Sequence, residues 1–210
     1  MIGSQRQGHA LPTIAPQEAD HGAALWRACA PKTCCYLAVV FVTGRDVWDI
    51  ASALDAPPAS FLRLIASHQG EPAAIRLEPA GGMYRLALAK QRVRRATPAP
   101  CVFLQRLRGG QHRCAIADLR PAACQLHPAE VEQGVPVVRD GRGCTCREWR
   151  LADLDLAQVS RLAAARAAAV AEYAEVAAAW NDRVRRASAA FTLEDYGDYL
   201  MSTYSSMCTS

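Results

Sequence analysis

The sequence has few lysines and no long apolar run, and both absences restrict what the protein can be. Only Lys32 and Lys90 are lysines, so the net charge of +4 comes almost entirely from arginines that are scattered along the chain. A mild, scattered positive charge favours an ordinary solvated surface and argues against nucleic acid as a partner. The longest apolar run, residues 36–42, is far shorter than the roughly 20 residues that cross a bilayer, so we expect no membrane partner.

Signals of secretion and of common catalytic sites are missing as well. Residues 1–16 are polar and interrupted by glycine and proline, without the charged and then apolar pattern of a secretory signal. We therefore expect a cytoplasmic protein, in which structural disulfides are rare. No phosphate-binding glycine loop, carboxylate pair or Ser-His-Asp set stands out, so catalysis has no anchor in the sequence beyond the thiols.

Cysteines are the feature that the sequence has in excess, with nine in 210 residues. Cys208 stands alone near the end of the sequence and is interpreted as a free thiol. Adjacent cysteines and a Cys-Thr-Cys pair are hard to explain as core packing, because neighbours in sequence point in different directions. In a reducing compartment such thiols indicate metal or redox chemistry. We predict eight metal ligands: Cys29, Cys34, Cys35, Cys101, Cys114, Cys124, Cys144 and Cys146.

The spacing of these cysteines bears on which metal they hold. Zinc knuckles use Cys-x2-Cys, which does not occur in this sequence. Iron–sulfur clusters accept more varied spacing, because the sulfurs surround a larger object. We therefore expect an iron–sulfur cluster of the 4Fe-4S type, with zinc or mononuclear iron as the alternative. Basic residues close to the cysteines in sequence, such as Lys32 and Arg120, are candidates to compensate thiolate charge, or else ordinary surface cations.

The first half of the sequence predicts mainly helices. A short helix is expected over residues 17–30 and a buried strand over 37–42. Thr43 with Asp46 predicts the start of a helix that runs to Leu54. Pro57-Pro58 would end that helix and begin another one through Ile65.

The second half predicts two hairpins and a long helix. Residues 74–77 and 83–88 flank one Gly-Gly pair, and residues 102–104 and 112–114 flank another. Pro121 would open a short helix through Cys124, and residues 135–139 are a candidate strand. Alanine-rich residues 153–187 predict one long amphipathic helix, and Thr192 predicts a last helix to about Met201.

These elements predict an α+β, mostly helical fold: a small, hairpin-containing cysteine-cluster domain with a long C-terminal helix. The expected units are a metal-binding domain over residues 17–150 and a helical arm over 151–203 that packs on it. A protein partner that binds the apolar stripe of the long helix is the alternative to that packing.

The cysteine pattern resembles the YkgJ-like family of zinc- or iron-chelating cysteine-cluster proteins over about residues 25–150. Three pieces carry the resemblance: Cys29-x4-Cys34-Cys35, Cys101-Val-Phe-Leu, and Cys114-Ala-Ile with Arg120-Pro121 and Cys124. Trp26 stands where the family has its first cysteine, and His127 replaces an aromatic residue before a proline. The family includes flagellin lysine N-methylase, which uses S-adenosylmethionine and an iron–sulfur cluster.

The sequence is compatible with three functions. The first is a cytoplasmic protein that holds an iron–sulfur cluster for redox or accessory work. The second, implied by the resemblance, is a protein-modifying enzyme similar to the methylase. The third is a zinc-stabilised interaction module.

Overall fold

The computed structural model describes residues 26–27, 29, 32–68, 70–92, 98–138 and 148–209. Within these ranges the fold is α+β and mostly helical, as the sequence predicts. The helices are α1 (Thr33–Leu37), α2 (Gly44–Leu54), α3 (Ala122–Leu126), α4 (Leu156–Arg186) and α5 (Leu193–Cys208). The strands are β1 (Leu62–Ser67), β2 (Met83–Leu88), β3 (Leu104–Arg106), β4 (His112–Cys114), β5 (Ala129–Glu132) and β6 (Val135–Val138).

The strands form three separate antiparallel pairs, β1–β2, β3–β4 and β5–β6. The predicted hairpin around Gly109-Gly110 is confirmed as β3–β4, with Leu104 opposite Cys114. Both glycines have positive φ, 84° and 79°, which explains why glycine occupies the turn. In the last pair, β6 matches the predicted strand over 135–139, whereas its partner β5 was not predicted.

Two predictions about residues 57–88 are wrong. Residues after Pro57-Pro58 form a 3-10 turn and then strand β1 rather than a helix, because Leu62–Ser67 pairs along its whole length with β2. Residues 74–77 therefore do not form the partner strand of β2, and they contact it only through an isolated bridge between Ile75 and Tyr84. Pairing with a distant strand has overridden the local helical pattern.

Residues 37–42 also differ from the predicted buried strand. Leu37 ends α1, and Leu37 and Val39 are half exposed, at 50% and 43%. Only Phe41 forms a bridge, to Ala87 of β2. The segment thus contacts β2 only briefly, and Leu37 and Val39 reach the surface, whereas Val42 is buried.

Both predicted helix starts with threonine caps are confirmed. Thr43 and Asp46 form a reciprocal capping box at the start of α2. Thr192 and Asp195 form the same arrangement at the start of α5. In each box the threonine oxygen and the aspartate carboxylate accept hydrogen bonds from backbone N–H groups that the helix itself leaves without partners.

The two C-terminal helices belong to the main core. Trp180 of α4 is fully buried and packs on Tyr196 of α5, with ring centroids 4.9 Å apart. The hydroxyl of Tyr196 donates to that of Tyr173 at 3.0 Å. The same buried cluster includes residues of α2, β1, β2 and β3, namely Val47, Ile50, Leu62, Leu86 and Leu104. The apolar stripe of α4 is therefore buried within the molecule.

A smaller buried cluster joins the cysteine region to the start of α4. It contains Leu126, Ala129, Leu154 and Val159. Through it, α3 and β5 pack on the first turns of the long helix, which fixes the position of α3 and its cysteine.

No helix among the described residues has the length and apolar character needed to span a membrane.

Candidate functional site

Five of the predicted ligands line one cavity of about 710 Å³. They come from four separate segments of the chain, and the cavity also meets the half-exposed Leu37 and Val39, so it reaches the surface. The five cysteines are Cys34, Cys35, Cys101, Cys114 and Cys124. We refer to this space as the thiol cavity.

Backbone contacts fix the segments that bring these thiols together. Cys34 and Cys35 lie on α1, and the N–H of Cys101 donates to the carbonyl of Cys35 at 2.7 Å. Cys101 also forms an isolated antiparallel bridge with Lys90. The segments before and after β2 are thereby held side by side at the cavity.

The other two thiols depend on the β3–β4 hairpin and on α3. Cys114 is the last residue of β4, and Cys124 lies in the middle of α3. The N–H of Cys124 donates to the carbonyl of Pro121 at 2.7 Å, which closes the turn that begins the helix. The Gly109-Gly110 turn thus positions Cys114, and the helix start at Arg120-Pro121 positions Cys124.

Four of the thiols form a mutually interacting set. Each of the six pairs that they make is close enough for one thiolate to raise the pKa of the other. The four are Cys35, Cys101, Cys114 and Cys124. Cys34 lines the same cavity and interacts with Cys35, Cys124 and Cys29.

The remaining predicted ligands lie apart from this set. Cys29 is buried, 4% exposed, and interacts electrostatically with Cys34, but it does not line the thiol cavity. Cys144 and Cys146 lie outside the described residues, so their predicted role stays a prediction. Cys208 is an exposed free thiol at the end of α5, where the guanidinium of Arg45 is 3.6 Å from its sulfur.

Burial makes most of these thiols weak acids. Desolvation raises the pKa of Cys101 to about 11 and raises those of Cys114 and Cys124. Cys34 donates a hydrogen bond to Cys35, which raises its own pKa, and burial raises it further. That hydrogen bond lowers the pKa of Cys35 to about 6, against the opposing effect of burial. Among the five thiols of the cavity, Cys35 is therefore the one whose pKa is lowered.

Both lysines of the chain lie near Cys35, and their charges lower its pKa. Lys90 donates to the carbonyls of Cys35 and Tyr36, at 3.1 Å and 3.0 Å. Burial lowers its pKa, whereas the neighbouring Cys101 and Cys35 act to raise it. Lys32 is 5% exposed and lies over the Trp26 ring, with its ammonium 4.1 Å from the ring centroid.

Arg120 is the third cation of the site and is as buried as Lys32, at 5% exposed, and its charge favours the thiolates of Cys114 and Cys124. Its Nε donates to the carbonyl of Ala117 at 3.1 Å. A buried cation costs free energy unless an anion compensates it. Two buried cations, Lys32 and Arg120, together with the half-buried Lys90 indicate a site that favours negative charge.

Trp26 has a role that the sequence analysis did not predict. Its indole Nε1 donates to the sulfur of Cys35 at 3.4 Å. The hydrogen bond lowers the pKa of Cys35, although less than the one from Cys34 does. Trp26 therefore contacts the thiol site directly. No local motif in the sequence indicated this contact with Cys35.

The two histidines closest to the cysteines in sequence differ in their setting. His127 lines the thiol cavity, and burial lowers its pKa. Its Nε2 is buried without a hydrogen-bond partner among the described residues. His112 packs edge-on against Tyr36 instead, with ring centroids 6.4 Å apart.

Side-chain positions in the cavity do not form a ready-made site for a single ion. Among the described residues, no group of three or more His, Cys, Asp or Glu side chains is placed so that it could hold a metal ion as it stands. The thiols are distributed around a cavity instead of being gathered at one point.

No protein-family model, curated protein or solved structure matches this chain. The resemblance to the YkgJ-like family therefore stays a prediction from the cysteine pattern.

Proposed function

We propose that this protein binds an iron–sulfur cluster in the thiol cavity. The observation that carries the proposal is the mutually interacting set Cys35, Cys101, Cys114 and Cys124, which lines one cavity together with a buried arginine. These cysteines are spread from residue 35 to residue 124. Cysteines that served only for apolar packing would not require buried positive charge beside them, because burial of an unpaired charge costs free energy.

The charge arrangement supports an anionic ligand set. Metal binding requires thiolates, so it would release the protons that burial now holds on Cys101, Cys114 and Cys124. Lys32, Lys90 and Arg120 would then compensate the charge that forms. The pKa of Cys35 is already lowered, so Cys35 would be the first ligand to ionise and bind.

A cluster suits this cavity better than a single ion does. One zinc ion draws four ligand atoms to a common centre at about 2.0–2.3 Å, whereas the thiols here line a cavity of about 710 Å³. A cluster spreads its cysteine ligands around a larger object. We assign the four ligands to Cys35, Cys101, Cys114 and Cys124. The cluster would supply one-electron redox chemistry.

We place the protein in the cytoplasm. Each cysteine that the structure describes is a free thiol, as is usual in a reducing compartment. A protein partner of α4 would meet the exposed face of that helix, because its apolar stripe is buried.

Anaerobic purification followed by iron, zinc and acid-labile sulfide analysis tests the proposal. We expect iron and sulfide in equal amounts and broad visible absorption. Cys124→Ser should lose both, because the serine cannot replace a thiolate ligand, while the matched variant Cys208→Ser should keep both. A colourless protein with zinc and no sulfide would rule out the cluster, and full metal content in Cys124→Ser would rule out the ligand assignment.

A further inference from the structure

A second cavity of about 340 Å³ lies against the thiol cavity. It is bounded by α2, by the segment that leads into α3, and by the N-terminal half of α4. Four residues line both spaces and so form their common wall: Phe41, Arg120, Ala123 and Arg166. We refer to this second space as the side cavity.

The side cavity is lined by charges of both signs, and most of them have partners within the protein. Asp46 accepts from Thr43 in the capping box of α2. Asp49 pairs with Arg45 at 3.3 Å. Arg85 pairs with Glu71, and Arg120 donates to the carbonyl of Ala117. These groups explain the polarity of the wall without a ligand.

Arg166 differs from the other two arginines of the wall. It lies on α4, it is half-buried, and its guanidinium has no hydrogen bond or ion pair with any residue that the structure describes. Its charge acts on Asp46, where burial raises the pKa of the carboxyl and Arg166 opposes that rise. A guanidinium offers five N–H donors in a planar fork that matches a carboxylate. The Arg166 guanidinium thus donates to no carboxylate or carbonyl of the described residues.

We propose that the side cavity binds a small monocarboxylate, with the carboxylate on Arg166 and a short apolar part against Val42, Leu162 and Val170. A cavity of about 340 Å³ is near the lower end of the range for small-molecule sites. Three aspartates balance the three arginines of the wall, which favours one negative charge on the ligand over several. The proposal goes beyond the cluster, because it requires no metal in the thiol cavity.

Calorimetric titration of the full chain with butyrate and benzoate tests the proposal. Benzamide serves as the uncharged counterpart of benzoate, and inorganic phosphate as the multiply charged anion. We expect a carboxylate to bind at millimolar concentration or below, and benzamide and phosphate to bind more weakly. The same result is expected with metal-loaded and metal-free protein, so failure of the cluster proposal would leave this outcome unchanged.

Two pairs of variants on α4 locate the binding. Arg166→Gln should weaken carboxylate binding by about tenfold or more, because a charge-assisted pair is lost. Arg161→Gln, an exposed arginine of the same helix, should leave it unchanged. Ala169→Leu should block the cavity by volume, whereas Ala168→Leu on the exposed face should not.

Three results would overturn the proposal. They are the absence of carboxylate binding to the wild-type protein, binding of phosphate that exceeds that of both carboxylates, and equal affinity in Arg166→Gln and Arg161→Gln. If Arg166→Gln does not fold by circular dichroism, the Ala169→Leu and Ala168→Leu pair decides, and equal binding to these two variants overturns the proposal.

Discussion

Lysine is used in this chain only beside the thiol site. Lys32 and Lys90 are the two lysines of the sequence, and both place an ammonium among buried groups near Cys35. The surface cations are arginines instead. Lysine is a compact point charge with three donors, and Lys90 uses two of them on the carbonyls at the end of α1. A single side chain thus combines charge compensation with positioning of the Cys34-Cys35 segment.

Replacing Lys90 should weaken the site without unfolding the protein. Lys90→Gln removes the positive charge that favours the Cys35 thiolate and disturbs two hydrogen bonds to α1. We expect iron to be lost to a chelator about tenfold faster, which corresponds to one charge-assisted hydrogen bond. The loss of visible absorption with time measures it. Arg92→Gln, an exposed cation two residues further on, should behave as wild type. Equal rates for the two variants would show that Lys90 has no part in holding the cluster.

At the scale of elements, two helices begin with the same capping box in different surroundings. Thr43 is 7% exposed and lies at the start of α2, whose Val47 and Ile50 are fully buried. Thr192 starts α5 at the surface, and its hydrogen bonds are exposed to solvent. Both caps make the same local hydrogen bonds. A difference in their contributions to the free energy of unfolding therefore reflects their difference in burial.

Removing each cap tests this difference. Thr43→Ala should lower the free energy of unfolding by about 2 kcal/mol, because it leaves buried polar groups of the cap without a partner. Thr192→Ala should cost about 1 kcal/mol or less, since water can replace the lost hydroxyl. Urea unfolding of the metal-free variants measures both values. A larger loss for Thr192→Ala would contradict the role given to burial.

At the scale of the whole molecule, α4 connects the cysteine region with the main core. Its first turns carry Val159, which packs with Leu126 and Ala129 near α3. Its last turns carry Trp180 and Asn181, which bind the loop between β1 and β2. A shift of α4 would therefore displace residues that line both cavities.

Asn181 is the clearest point of attachment between α4 and that loop. Its side chain accepts from the N–H of Arg76 at 2.8 Å and donates to the carbonyl of Ala74 at 2.9 Å, and it is 8% exposed. Asn181→Ala leaves two buried backbone groups without partners, so we expect a loss of about 2–4 kcal/mol in the free energy of unfolding.

Denaturant unfolding checks this expectation, with Arg185→Ala as the control. Arg185 lies on the same helix but is half exposed, and its ion pair with Asp182 is at the surface. Its removal should change stability by less than about 0.5 kcal/mol. If Asn181→Ala lowers the free energy of unfolding as little as Arg185→Ala does, the attachment to the loop adds nothing to stability.

The close approach of α5 to α2 also belongs to this scale. Gly44 is the first residue of α2, and a Cβ at this position would lie only 2.7 Å from the hydroxyl oxygen of Tyr204. Tyr204 is fully buried. The sequence shows a glycine after a capping threonine, but only the packing of α5 explains why a side chain is excluded there.

The sequence by itself determined the features that depend on a few neighbouring residues. The capping boxes at Thr43 and Thr192, the Gly109-Gly110 hairpin, the proline start of α3 and the long alanine-rich α4 all lie where they were predicted. The cysteine pattern also indicated which residues are candidate ligands. Hydrogen bonds within one turn or one helix suffice for these predictions, because their partners are only a few residues apart.

The tertiary structure alone decided which distant residues meet. Strand β1 forms because β2 pairs with it, although its own sequence follows a helical pattern. The four mutually interacting thiols, the two lysines and Trp26 come together because packing of the core fixes α1, β4 and α3 around one cavity. Residues far apart in sequence are brought into contact by burial of apolar surface, which is not directional and leaves no short motif.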